Sequence, residues 1–94
     1  MAIARVVSFE EVGSDRVEQL TRELRDGQQP EDVPATEIVM LHDPDGDKSL
    51  VILFFENEDD YRRADEALDA MPADDTPGRR TSVTKYNVAV RVTA

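Results

Sequence analysis

Apolar and polar positions follow two different periods along this chain, and together they predict four strands and two helices. Strands are expected where Val, Ile, Leu and Phe recur at a period of two between turn residues. These stretches are residues 2–9, about 36–42, 49–55 and about 82–93. The second and third strands are separated only by the turn "DPDGDK", which predicts a β-hairpin.

The two helices are predicted from apolar residues spaced three and four apart on otherwise charged segments. The first is expected to begin after an N-cap at Ser14 and to end at Gly27. The second is expected to begin after an N-cap at Asn57 and to stop at Pro72. The apolar stripes are Val17, Leu20 and Leu24 in the first helix and Tyr61, Ala64, Leu68 and Met71 in the second.

The third strand, within "KSLVILFF" (residues 48–55), is apolar on both of its faces. One face carries Leu50, Ile52 and Phe54, and the other carries Val51, Leu53 and Phe55. A strand with one face in water normally alternates apolar with polar residues. We therefore expect both faces of this strand to be covered.

The order strand, helix, strand, strand, helix, strand predicts an α+β fold of the ferredoxin-like βαββαβ type. The sheet should be four-stranded and antiparallel in the order 4-1-3-2, with both helices on one face. The other face would then be bare, although a monomer rarely exposes so large an apolar patch. A second copy packed face to face would cover it, so we expect a homodimer; a partner of different sequence is the alternative.

Composition narrows the classes of partner. The 94 residues suit a single domain spanning residues 1–94, and the net charge of −10 disfavours nucleic acid and anionic membranes as partners. No apolar run is long enough to span a bilayer, and the N-terminal sequence lacks the features of a secretory signal. The absence of cysteine excludes disulfides and thiolate metal sites, and it fits a cytoplasmic location.

These features resemble the dimeric α/β-barrel superfamily, in particular its antibiotic-biosynthesis-monooxygenase-like branch. The likeness rests on the order of elements over the whole chain, "SLVILFF", "NEDDYRRADEALDAMP" and "SVTKYNVAVRV". It implies cytoplasmic homodimers with a small-molecule pocket between the sheet and helices of each subunit. Some members oxidise polycyclic phenols with molecular oxygen and no cofactor, and others degrade haem. The haem-degrading branch uses an Asn, a Trp and a His, and this chain has no Trp and a single His.

The catalytic candidates are His42 and Asn87. His42 is the only side chain whose ordinary pKa lies near neutrality, although a histidine at a strand end often only hydrogen-bonds a turn. In the cofactor-free oxygenases an asparagine can help bind an oxyanion, and Asn87 is placed here on that resemblance alone. If the protein is an oxygenase, one of these two residues would handle the proton or the oxyanion.

The ligand-binding candidates are Arg5, Tyr61 and Tyr86. Arg5 lies within an apolar strand, where a charge requires a partner. It would either hold an anionic ligand in a polar pocket or pair with an acid across the dimer interface. Each tyrosine would line the pocket or simply pack in the core.

Two further motifs were compared with known sites. Asp43, Asp45 and Asp47 have the spacing of a calcium loop, but Lys48 and Phe54 stand where that loop needs Gly and Glu. The RNA-recognition motif shares this order of elements, but its stacking positions hold Leu50 and Ile52 instead of aromatic rings. We therefore expect no metal, no cofactor and no nucleic acid.

The sequence thus favours a small homodimer that binds an apolar or aromatic molecule between sheet and helices, and that could act as a cofactor-free monooxygenase-like enzyme. The alternatives are a non-enzymatic ligand-sensing dimer and a structural or stress-response dimer.

Overall fold

A computed structural model describes residues 2–26, 33–70 and 78–93 and confirms the predicted ferredoxin-like fold. The elements follow the order β1-α1-β2-β3-α2-β4. The strands are β1 (Ile3–Glu10), β2 (Glu37–Asp43), β3 (Lys48–Phe55) and β4 (Arg79–Asn87), and the helices are α1 (Ser14–Arg25) and α2 (Glu58–Asp69). Neither of these helices has the length and apolar content needed to cross a membrane.

The four strands form one antiparallel sheet in the order β2-β3-β1-β4, which is the predicted 4-1-3-2 order read from the other edge. The central pair is β1 and β3, with Val6 opposite Ile52. The hairpin pair is β2 and β3, with Val39 opposite Ile52. A register shift between Ser8 and Phe9 lets β4 begin at Arg79, earlier than the predicted start near residue 82.

Both helices pack on one side of this sheet, which we call the helix face. Phe55 and Ala64 are fully buried there, with Ile3, Leu53 and Tyr61 around them. A second cluster, Val7, Phe9 and Val12, is closed by Val17 of α1. Val51 touches both clusters, so the core runs continuously beneath the two helices.

The predicted helix ends are confirmed in part. The side chain of Asn57 accepts a hydrogen bond from the backbone N–H of Asp60 at 2.8 Å, as expected of an N-cap. Ser14 is not the N-cap of α1, because Gly13 occupies that position in extended conformation and its carbonyl accepts from Val17 at 3.2 Å. The predicted roles of Gly27, Met71 and Pro72 lie outside the described residues.

The last strand is shorter than predicted, because β4 ends at Asn87 and not near Thr93. β4 is an edge strand whose only neighbour is β1, and β1 begins at Ile3 opposite Asn87. One further bond joins Val88 N–H to the carbonyl of Ala2, and within the described ranges β4 pairs with β1 no further. The next residues, which we call the C-terminal arm (residues 88–93), therefore leave the sheet.

Candidate functional site

The side of the sheet opposite the helices, which we call the open face, is apolar at its centre. Strand alternation places there the apolar residues Ala4, Val6, Val39, Leu41, Leu50, Ile52, Phe54 and Tyr86. Leu50 is 37% exposed, Leu41 49% and Tyr86 55%. The two faces of β3 thus divide as the sequence predicts, with Leu53 and Phe55 buried on the helix face and Leu50 half-exposed on the open face.

The charged residues of the open face lie at its two ends and balance one another. Three carboxylates (Glu10, Glu37 and Asp43) accompany three cations (Lys48, Arg79 and Arg91). Arg79 pairs with Glu10 at 2.7 Å. Over the strands and the C-terminal arm these charges cancel, although the chain carries a net charge of −10 and Glu11, directly after β1, also lies 3.9 Å from Arg79.

The C-terminal arm lies along one end of this face. Arg91 forms an ion pair with Glu37, and its guanidinium lies 4.6 Å from the ring centroid of Phe54. On either side of Arg91, Val90 is 77% and Val92 is 81% exposed. The arm is thus fastened to the sheet through its arginine and exposes its valines.

At the other end of the open face lies a depression of about 470 Å³, which we call the hairpin depression. Leu41, Leu50 and Ser8 form one row of its walls, and Asp43, Lys48 and Glu10 form the outer row. Between these rows lie Phe9, Ser49 and His42, whose side chains lie on the helix face. Their backbone forms part of the floor of the depression. The depression is therefore apolar on its inner side and charged at its rim.

His42 belongs to that middle row, so its side chain lies on the helix face at the edge of the sheet. Its Nε2 atom is buried and has no hydrogen-bond partner within the described part of the chain. The neighbouring Ser49 hydroxyl does not serve it, because it donates to the carbonyl of Leu41 at 2.8 Å.

Arg5 is 2% exposed and is held by two carboxylates of α2. Its Nε lies 2.9 Å from Asp65 Oδ1, and its Nη2 lies 3.3 Å from Asp69 Oδ1. Asp69 also receives Arg80 at 2.8 Å. A buried guanidinium is tolerated only with such partners. Asp65 and Asp69 of the same chain are the partners of Arg5, for which the sequence suggested an anionic ligand or an acid across a dimer interface.

Tyr61 lies beside Arg5 beneath α2. Its ring meets Phe55 edge-on, with centroids 5.7 Å apart, and Lys85 Nζ lies 5.0 Å from the centroid of the Tyr61 ring. Burial, and next to it the negative charge of Asp65, raise the pKa of the Tyr61 hydroxyl above its ordinary value. Tyr61 is thus a core side chain that also contacts charged groups.

The remaining candidates are divided between the faces. Lys85 lies opposite Arg5 in the register of β1 and β4. Asn87 is two residues further along β4, so it lies on the helix face with Arg5 and Tyr61. Tyr86 lies on the open face. In the sheet register, His42 lies opposite Ser49, which lies opposite Phe9, whereas Asn87 lies opposite Ile3. Phe9 and Ile3 are six residues apart on β1, so His42 and Asn87 lie about 20 Å apart along the strands. The structure therefore places Arg5 and Tyr61 close together, with Asn87 on the same face, and places His42 and Tyr86 elsewhere.

Sequence reasoning missed the acids that hold Arg5. Asp65 and Asp69 are four residues apart and so lie on one side of α2. Asp65 directly follows the buried Ala64, and this position beside the apolar stripe is the signal that could have identified it.

The aspartates of the hairpin turn serve the turn itself. Asp43 Oδ1 accepts from the backbone N–H of Gly46 at 3.3 Å, and Asp47 has a left-handed backbone with φ of 51°. Over the described ranges, no three His, Cys, Asp or Glu side chains are grouped so that they could hold a metal ion.

Comparison with family models, with curated proteins and with solved structures finds no match to this chain. The fold is thus supported by the structure, while kinship with the antibiotic-biosynthesis-monooxygenase-like branch stays a prediction.

Proposed function

We propose that this protein acts as a homodimer of the dimeric α/β-barrel kind, related to the antibiotic-biosynthesis-monooxygenase-like proteins, in which two open faces pack together. The observation that carries the proposal is an open face that is apolar at its centre and neutral in charge. The cytoplasmic location implied by the resemblance is part of the same proposal.

The apolar centre supplies the driving force. Full burial of a Leu or Phe side chain is worth roughly 1.5–3 kcal/mol relative to leaving it in water. Leu41 and Leu50 retain 49% and 37% of their exposure in the single chain, so part of this energy is available to a partner. Sheets that pack face to face bury such side chains in a layer about 10 Å thick.

The neutral charge favours a second copy of this chain as the partner. Two copies that each carry −10 repel one another over most of their surface. A two-fold interface places each patch against itself, so it must be neutral or self-complementary to avoid this repulsion. The open face, with its three carboxylates and three cations, satisfies that condition.

Sedimentation equilibrium tests the dimer with two matched leucines, Leu50 on the open face and Leu24 on α1, both 37% exposed. We expect the wild-type chain and Leu24→Glu to sediment as dimers at micromolar concentration. Leu50→Glu should sediment as a monomer, because it buries a carboxylate between the sheets. A wild-type monomer, or equal dissociation of both variants, would refute the proposal.

Small-molecule binding beneath α2 is the second candidate function, and it is favoured by the polar groups that converge there. Arg5, Tyr61 and Lys85 meet on the helix face, with Asn87 two residues further along β4. A small-molecule site is ordinarily an apolar pocket that holds a few such groups, so this candidate requires a pocket to open beneath α2. The proposed ligand is an aromatic phenol, oriented by Arg5, with cofactor-free monooxygenase-like oxidation as the reaction.

Oxygen uptake with a dihydroxynaphthalene tests this second candidate. If Asn87→Ala abolishes oxygen uptake and His42→Ala preserves it, the oxyanion role belongs to Asn87, which is the residue nearer Arg5. No uptake and no binding of the phenol would leave the non-enzymatic alternative, a ligand-sensing or structural dimer. Lys85 and Arg5 already pair with carboxylates of α2, and this observation supports that alternative.

A further inference from the structure

Two apolar features of the open face are exposed to solvent, the C-terminal arm and the hairpin depression. They lie at opposite ends of β2 and β3. The C-terminal arm lies beside the Glu37–Phe54 pair of β2 and β3. The hairpin depression lies beside the Leu41–Leu50 pair of the same two strands. Each feature shows apolar surface to solvent, as valines in the arm and as leucines in the depression.

We propose that the C-terminal arm of each protomer fills the hairpin depression of its partner. This inference rests on the proposed homodimer and defines how its two sheets are oriented. It also makes each depression a site completed by the second copy, with Val90 and Val92 as the inserted side chains.

The position of the two-fold axis follows from where these features lie. An axis parallel to the strands would bring arm against arm and depression against depression, and it would place β2 opposite β4. An axis perpendicular to the strands reverses their direction and keeps each strand opposite itself. Arg91 of the arm and the two leucines of the depression lie over β2 and β3, so the perpendicular axis places one over the other and the parallel axis does not.

The charges at the two ends of the face fit the same axis. Reversal of the strands brings the Glu37 and Arg91 end of one protomer over the Asp43 and Lys48 end of its partner. Over β2 and β3 each end holds one carboxylate and one cation, so opposite charges can pair across the interface in both directions. At the centre, the row of Val39, Ile52 and Val6 would then lie over the row of Leu41, Leu50 and Ser8 of the second copy.

The chain has no cysteine, so introduced cysteines give a clean crosslinking test. Two double variants, Lys48→Cys with Val90→Cys and Lys48→Cys with Val92→Cys, are treated with a short bis-maleimide crosslinker. We expect a covalent dimer on a denaturing gel from at least one double variant, because Lys48 lines the hairpin depression. The single variants Lys48→Cys and Val92→Cys should remain monomeric on that gel, because equivalent residues lie at opposite ends of the perpendicular-axis dimer, about 20 Å apart along the strands for Lys48.

Sedimentation of the same samples separates this inference from the proposed dimer. If the variants sediment as dimers but Val92→Cys alone crosslinks, the arms lie against each other and the perpendicular axis is refuted. Dimers in which neither double variant crosslinks would refute arm insertion while leaving the homodimer intact. Monomeric sedimentation of the wild-type chain would refute both proposals.

Discussion

The two faces of the sheet use similar residues but differ in what surrounds them. On the helix face, Phe55 is fully buried and Leu53 is 5% exposed, because α2 of the same chain covers them. On the open face, Leu50 and Leu41 keep 37% and 49% of their exposure. The difference shows that this chain covers one apolar surface by itself and leaves the other partly exposed, which is the surface that the proposed homodimer would bury.

Charge is handled differently on the two faces as well. Arg5 lies at the centre of the helix face and is neutralised there by Asp65 and Asp69. The charged groups of the open face stay at its ends, where they remain exposed or half-exposed. A buried charge thus fastens α2 to the sheet, whereas the open face keeps its centre free of charge.

The largest expected effect comes from truncating the two adjacent phenylalanines of β3, one on each face. Phe55→Ala should lower the free energy of unfolding by about 3–5 kcal/mol, because it leaves a cavity in a closed core. Measured in the Leu50→Glu background, which is expected to be monomeric, Phe54→Ala should lower it by less than half as much, since Phe54 is partly solvated in the single chain. Urea unfolding at one fixed protein concentration measures both, and equal losses would contradict the division into two faces.

The junction where β4 enters the sheet should respond next. A Cβ at Gly78 would lie 2.4 Å from the carbonyl oxygen of Glu10 and 2.8 Å from Val12 Cγ2. Gly78→Ala should therefore destabilise by about 1–3 kcal/mol, as overpacking does. Gly13→Ala is the control, because its Cβ would have no atom within 4 Å. Thermal unfolding that ranks Gly13→Ala as the more harmful change would contradict this contact.

Removal of one partner of Arg5 should have a smaller effect. Asp65→Asn leaves the buried Arg5 guanidinium with Asp69 alone. We expect the free energy of unfolding to fall by about 1–2 kcal/mol. This is less than for a fully buried pair, because the Asp65 side chain is 35% exposed. Asp59→Asn, which removes an acid that is 93% exposed, should leave stability unchanged. Similar values in chemical unfolding would show that Arg5 does not fasten α2.

The smallest effect concerns Tyr61 and pH. Because the pKa of Tyr61 is raised in the folded protein, its contribution to stability is complete below pH 10 and is lost as the pH rises through the folded-state pKa. Tyr86→Phe leaves Tyr61 as the sole tyrosine, so the ultraviolet absorbance of tyrosinate reports it directly. We expect titration above pH 10 in the native state, and titration at or below pH 10 would contradict its burial.

Much of the fold was predictable because local patterns specify it. The period of two in "SLVILFF", the short "DPDGDK" turn and the Asn57 cap each act over a few residues, and each is found where predicted. The end of β4 was not predictable in this way. "VAVRV" is as suitable for a strand as the residues before it, but a strand also needs a neighbour, and the described residues of β1 accompany β4 only as far as Val88.

The candidate site was less predictable than the fold. Sequence reasoning selected Arg5 and Tyr61, which lie together, but also His42 and Tyr86, which lie in other places. Residue chemistry shows which side chains are capable of binding or proton transfer. Which of these side chains lie close together depends on strand order and register, and no short stretch of sequence specifies these.

The sequence by itself determined the elements, the hairpin and a third strand that is apolar on both sides, because these follow from periodicity and turn chemistry within a few residues. Only the tertiary structure decided that α2 supplies the acids for Arg5, that the C-terminal arm turns onto the open face, and that the charges there balance. Those outcomes depend on residues more than thirty positions apart along the chain, which meet only when the sheet is assembled.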